Sequence, residues 1–186
     1  MLLEMRAAAF ADRGSAIVSP QEIELEEGGR LAHACNGNRA ASIVAMMAAG
    51  LVRATSGSVF VGAFDPRIQP VQVKRLAGYV AHEALPHEFQ TFERYIDYRA
   101  ALWRLPPAES VVRARHILAQ LEGVHEAFAY PLAGALIAQP RLLVLDRPQA
   151  VYAPQLVEVA RNCAIFSTHG SDNDAARFAD ACRVRV

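Results

Sequence analysis

Four consecutive apolar residues, Leu142-Leu143-Val144-Leu145, run without a polar break into Asp146. A strand with one face in water would alternate between apolar and polar side chains. Residues 141–145 are mostly apolar instead, and so predict a strand in the middle of a parallel sheet, covered on both faces. Pro140 stops the short apolar helix predicted over 131–139, because proline offers no backbone donor to continue it.

The same succession of strand, loop and helix occurs near the start of the chain. Residues 30–34 predict a strand and 35–38 a loop. Residues 39–51 predict a helix, with Ile43, Met46, Met47 and Leu51 at helical spacing. Short β-like runs at 16–19 and 21–25 come before it, and 58–62, 76–81 and 163–167 supply further strands. Between 91 and 128 the period becomes helical. Tyr95, Tyr98 and Leu102 mark one helix, and Val111, Ile117, Leu118 and Leu121 a second, with Leu105-Pro106-Pro107 between them. A helix over 172–181 and a terminal strand over 183–186 follow. The expected architecture is a single layered α/β domain over residues 1–186, with a small helical subdomain at 88–130.

With 53% hydrophobic and 20% charged residues, the 186-residue chain has enough apolar surface for a substantial core. Its 19 basic and 19 acidic residues cancel, so net charge draws it neither to nucleic acid nor to anionic lipid. Lys74 is its single lysine and lies far from the glycine-containing loop at 35–38. Cys35, Cys163 and Cys182 have no metal-ligand spacing, and no basic-then-apolar segment opens the chain, so a reducing cytosol is expected. No stretch reaches the roughly 20 apolar residues of a membrane span, so any membrane contact is expected through a partner.

Several short motifs occur in one order. Arg53-Ala54-Thr55-Ser56-Gly57 is similar to the P-T-S-G turn of ABC transporter nucleotide-binding domains, and Gly78-Tyr79-Val80-Ala81-His82-Glu83 is similar to their G-Y-V-P-Q-E. Leu142-Leu143-Val144-Leu145-Asp146-Arg147-Pro148 resembles L-L-L-L-D-E-P, and Ser167-Thr168-His169 resembles S-T-H. Together they cover nearly the whole chain, which therefore resembles that family. The resemblance implies a P-loop NTPase-like layered sheet with a helical subdomain.

The departures bear on activity. A Walker A loop works because glycines let backbone N–H groups surround the phosphates, while its lysine neutralises them and its hydroxyl holds magnesium. This chain offers Ala34-Cys35-Asn36-Gly37-Asn38-Arg39-Ala40-Ala41, with Ala40 at the lysine position and Ala41 at the hydroxyl position. Where the family has the glutamate that polarises water stands Arg147, which cannot accept a proton. His82 stands at the glutamine and Ala153 at the aspartate of the next loop. Asp146 and His169 are the catalytic remnants. The signature loop L-S-G-G-Q has no room between Glu122-Gly123-Val124 and Pro131-Leu132-Ala133. The loss of lysine and magnesium ligand removes charge-assisted hydrogen bonds of roughly 1.5–3 kcal/mol each. ATP and magnesium binding are therefore expected to be weak or absent, with no metal site and no catalytic residues.

The resemblance also implies a partner: a membrane permease subunit or another ABC domain, in a possible dimer, at the inner face of the membrane. The expected role is a non-hydrolytic scaffold or regulator. The alternatives are a degenerate but active subunit that couples ATP hydrolysis to export, and a soluble assembly protein that reuses the fold.

Individual residues carry simpler readings beside these. Arg39 is either a substitute for the lysine or a surface residue at a helix start. Asp146 pairs with Arg147 or Arg39 in place of metal. His82, Glu83, His87 and Glu88 form a dense cluster, but Pro86 breaks the helix that would align the histidines for zinc. Cys35 is a reactive thiol or a small buried residue, and Phe10 an adenine-stacking remnant or core. Phe92, Tyr95, Tyr98 and Trp103 are either a docking surface or internal packing.

Overall fold

The apolar run forms the strand it predicts. In the computed structural model, which describes residues 1–82 and 91–182, every residue of Leu142–Asp146 is buried. The chain order is β1 (Leu3–Asp12), β2 (Ser15–Leu25), β3 (Arg30–Ala34), α1 (Asn38–Ala48), β4 (Ser56–Val61), α2 (Pro70–Leu76) and β5 (Ala77–Val80). There follow α3 (Phe92–Trp103), α4 (Pro107–Ala119), α5 (Glu126–Leu136), β6 (Leu142–Asp146), α6 (Ala153–Val159), β7 (Ala164–His169) and α7 (Asp172–Cys182).

Two sheets enclose α1. One is parallel, in the order β3-β7-β6-β5, and the other antiparallel, in the order β2-β1-β4. Ile43, Val44 and Met47 of α1 share one core with Val144 and Phe166 of the parallel sheet and with Met5, Val59 and Val61 of the antiparallel sheet. On the far side of the parallel sheet, Leu143, Leu145 and Ile165 pack with Leu132, Ile137, Leu156 and Phe178. Alternate residues of β6 thus feed two different cores, each fully buried leucine contributing about 1.5–3 kcal/mol. This is the layered α/β arrangement with a parallel sheet that the sequence predicts, in the P-loop NTPase-like form.

Local differences have physical causes. β1 is alanine-rich and carries little strand signal of its own, and pairing on both sides, with β2 and β4, makes it extended. The two runs at 16–19 and 21–25 are one strand, because β2 is an edge and Pro20 withdraws no interior ladder bond. The helices α2 and α6 are only seven residues each, too short for a clear periodicity. α5 begins at Glu126 rather than at 131, where His125 Nδ1 accepts the Ala127 N–H at 3.2 Å. Its buried stretch then offsets the roughly 3 kcal/mol that an interior proline costs. Tyr95 of α3 packs against Gly134 of α5, where a Cβ would lie 2.6 Å from the ring. The terminal strand at 183–186 and the cluster of Glu83, His87 and Glu88 with Pro86 lie outside the described residues.

Candidate functional site

All four strands of the parallel sheet point the same way, so their carboxyl ends form one rim, where folds of this type place ligands. Ala34 pairs with His169, Asp146 with Thr168, and Val80 with Leu145, which brings the ends of β3, β7, β6 and β5 together. The start of α1 faces the same rim.

The loop from β3 to α1 is short: Cys35, Asn36 and then Gly37, the residue before the helix. Gly37 has φ +92° and ψ 164°, a conformation essentially restricted to glycine. The Cys35 N–H donates to the His169 carbonyl at 2.8 Å, and the Gly37 N–H to the Gly170 carbonyl at 3.0 Å. Asn38 lies over Gly170, where a Cβ would sit 2.1 Å from the Asn38 Oδ1. A phosphate cradle needs such amides aimed into an open ring. Two of them are instead bonded to the end of β7 and to the residue after it. The first turn of α1 has no acidic residue and no side-chain cap, which leaves an anion about 0.3–1 kcal/mol of helix-dipole attraction.

Asp146 is 6% exposed, and three side chains surround its carboxylate. The Ser42 hydroxyl donates at 3.0 Å, Arg147 Nε lies at 3.1 Å, and the Tyr79 hydroxyl is 3.5 Å away. Ala40 and Ala41 are buried and bring no polar atom, so the hydroxyl that meets the carboxylate comes from Ser42, one position later in the helix. Ser42 and Tyr79 are the residues sequence reasoning missed. The available signal was strand alternation, which puts Tyr79 on the same face as Ala77.

Arg147 adopts φ +51°, a left-handed conformation uncommon outside glycine. Its N–H donates to the Thr168 carbonyl at 2.9 Å, and its own carbonyl accepts His82 Nδ1 at 3.2 Å. Arg39 points elsewhere and pairs with Asp12 at 3.6 Å on the surface. His169 is 2% exposed, its Nε2 3.0 Å from the Ser167 hydroxyl and its ring 5.1 Å from Phe178. Burial pushes its pKa down to about 4, so the imidazole is neutral at pH 7. Burial, helped by the negative charge of Asp146, pushes the Cys35 thiol up to about 12, which removes the reactive thiolate. Phe10 is half-buried and packs against the core around α1.

Two small clefts flank Arg147. One, of about 340 Å³, is lined by Asn38, His82, Arg147, His169, Gly170 and Arg177 among others. The other, of about 300 Å³, reaches Asp146, His125, Phe128 and Tyr152. The residues present do not fit a nucleotide-bound magnesium ion. Arg147 already occupies the Asp146 carboxylate, and no cluster of three His, Cys, Asp or Glu side chains placed to hold a metal ion occurs among the described residues.

A third cleft, of about 340 Å³, lies between Ala49, Leu51, Lys74 and Tyr79 on one side and Arg99, Leu102 and Trp103 of α3 on the other. The aromatic set of the helical region divides here. Tyr95 is buried and Phe92 packs on Tyr130 at 4.8 Å, whereas Tyr98 and Leu102 are exposed, Leu102 by 56%. No helix among the described residues is long and apolar enough to cross a membrane.

No model of a known protein family matches the chain. Solved structures do resemble it. The ATP-binding subunit of an ABC transporter superposes with a TM-score of 0.74 at 16% identity, covering 96% of this chain and 83% of that one. An ABC transporter ATP-binding protein from Pyrococcus furiosus gives 0.71 at 12% identity, covering 92% of each chain. CbiO1 from Clostridium perfringens, part of the ABC transporter complex CbiONQ, gives 0.66 at 14%, covering 90% and 78%. With its parallel sheet, its intervening α1 and its rim of loops, this chain has the fold of ABC transporter ATP-binding subunits.

Proposed function

We propose that the protein is a non-hydrolytic subunit of ABC ATPase fold that acts as a scaffold or regulator, docking on a membrane permease subunit or another ABC domain at the cytosolic face. One observation carries the first half of this reading: the position beside Asp146 holds a cation ion-paired to it at 3.1 Å, where hydrolysis needs a base. The inward-turned amides of Cys35 and Gly37 and the apolar Ala40 and Ala41 support it. The docking half is supported by the groove between the turn after α1, α2, β5 and α3, with Leu51 and Leu102 open to solvent beside Lys74 and Arg99. Apolar walls with flanking charges suit an amphipathic partner segment.

The rival reading, an active ATP-binding subunit coupled to export, is favoured by the likeness to ATP-binding subunits. Calorimetry with millimolar ATP and magnesium separates the two. The scaffold reading expects no saturable heat, or a Kd in the millimolar range, about −4 kcal/mol, and no phosphate release above background. Saturable binding tighter than about 0.1 mM, with turnover abolished by Asp146→Ala, overturns it in favour of the rival. A soluble assembly role would appear as full function in fractions free of membrane.

A further inference from the structure

Asp146 is buried, acidic and at the junction of the strand ends, and its counter-charge comes from the next residue in the chain. We infer that the Arg147 guanidinium is a resident cation, occupying the place on the Asp146 carboxylate that a divalent metal ion would take, and that removing it turns this cluster into a metal-binding site. The inference rests on the reading that the native chain binds no nucleotide-borne metal here.

Three features of the backbone and side chains support it. Adjacent residues in a strand ordinarily point to opposite faces, yet Arg147 reaches back to the carboxylate of its neighbour. The left-handed φ of +51° permits this, and two hydrogen bonds hold the turn: Arg147 N–H to the Thr168 carbonyl and His82 Nδ1 to the Arg147 carbonyl. One residue therefore joins β6 to β7 and to the segment that follows β5.

The rest of the cluster is made of oxygen atoms. The Ser42 hydroxyl lies 3.0 Å from one carboxylate oxygen and the Tyr79 hydroxyl 3.5 Å from the other. Thr168, paired with Asp146 in the parallel ladder, shares its face of the sheet, and its fully buried hydroxyl has no hydrogen-bond partner among the described residues. A carboxylate with hydroxyls around it suits a hard divalent cation. The guanidinium keeps such an ion out by charge as well as by position, and the two clefts that meet at Arg147 leave a route to the carboxylate once the side chain is shortened.

The test uses manganese ion alone, with no nucleotide, its free concentration followed by electron paramagnetic resonance. Wild type is expected to bind none at about 1 mM. Arg147→Met is expected to bind at least about tenfold more tightly, about 1.4 kcal/mol, and Arg147→Met with Asp146→Asn to lose that gain. The melting temperature of Arg147→Met alone should fall and recover on adding manganese, while Arg147→Lys stays near wild type without metal. If Arg147→Met does not fold, Arg147→Gln, which is shorter and uncharged but keeps an N–H donor near the place of the Arg147 Nε, is titrated in its place. The inference is overturned if wild type binds manganese as tightly as the variant, if neither uncharged variant gains binding, or if the gain survives Asp146→Asn. ATP binding by wild type would instead remove the reading beneath it, and the calorimetry above detects that independently.

Discussion

Burial decides the chemistry of the histidine at the end of β7. His169 is enclosed by Ser167 and Phe178 and stays neutral until about pH 4. The unfolded chain protonates it near its ordinary value of about 6.5. Between those two pH values the unfolded state holds more protons, so stability falls as pH drops from about 6.5 towards 4, with no contribution from this residue above that window. His33, half-buried beside Gln21, shifts the same way. In urea titrations at pH 7 and pH 4.5, His169→Phe should therefore lose less stability between the two pH values than wild type does. An equal loss would mean that His169 is not held neutral by the fold. Asp146, Arg147 and His169 were legible in the sequence through the motifs they stand in, which follow the strands read at 141–145 and 163–167. The role of Ser42 was not. A motif register assigns residues to places by counting, whereas which hydroxyl meets the carboxylate depends on how α1 is rotated above the sheet.

The elements show the same division between local and long-range causes. β3, α1, β6 and α7 carry their own periodicity and were predicted within a few residues. β1 was not, since Arg6-Ala7-Ala8-Ala9 has no strand pattern until β2 and β4 flank it. The pairing of β1 with β4 also has an irregularity, at Arg6 to Ala9, where Ala7 turns to φ +47°. Gly57 of β4 lies against this bend at φ +70°, and a Cβ there would stand 2.1 Å from the Ala7 carbonyl oxygen. That neighbour is backbone and cannot swing aside. Gly57→Ala is expected to cost about 2 kcal/mol or more, lowering the melting temperature by roughly 4–8 °C. An unchanged melting temperature would show that the bend relaxes freely. Gly50, at φ +69°, faces the branched methyl of Val73 at 2.6 Å and offers a second position of the same kind.

For the molecule as a whole, the groove lined by α2, β5 and α3 shares Tyr79 with the rim, but its α3 wall does not, so docking can be disturbed at α3 without touching the strand ends. The double variant Leu102→Glu and Trp103→Glu places two negative charges on the groove wall. Leu102 is already exposed and Trp103 only half-buried, so the change in stability should stay below about 1 kcal/mol. On the docking reading, the variant should leave the membrane fraction on sedimentation while wild type remains there. Co-sedimentation of both would place the contact elsewhere. The layering was legible in the sequence because unbroken and helical apolar patterns alternate along it. The pairing order was not, because strands distant in sequence become neighbours only once the helices between them have packed. That order has a consequence in time. β3 pairs with β7 and with no other described strand, Arg30 lying opposite Ile165. On a ribosome adding roughly 5–20 residues per second, the strand that leads into the loop is made early and then waits on the order of ten seconds for its neighbour. β1, β2 and β4 emerge close together and can pair meanwhile, so a nascent chain halted before residue 164 holds the antiparallel sheet and α1 with β3 still unpaired.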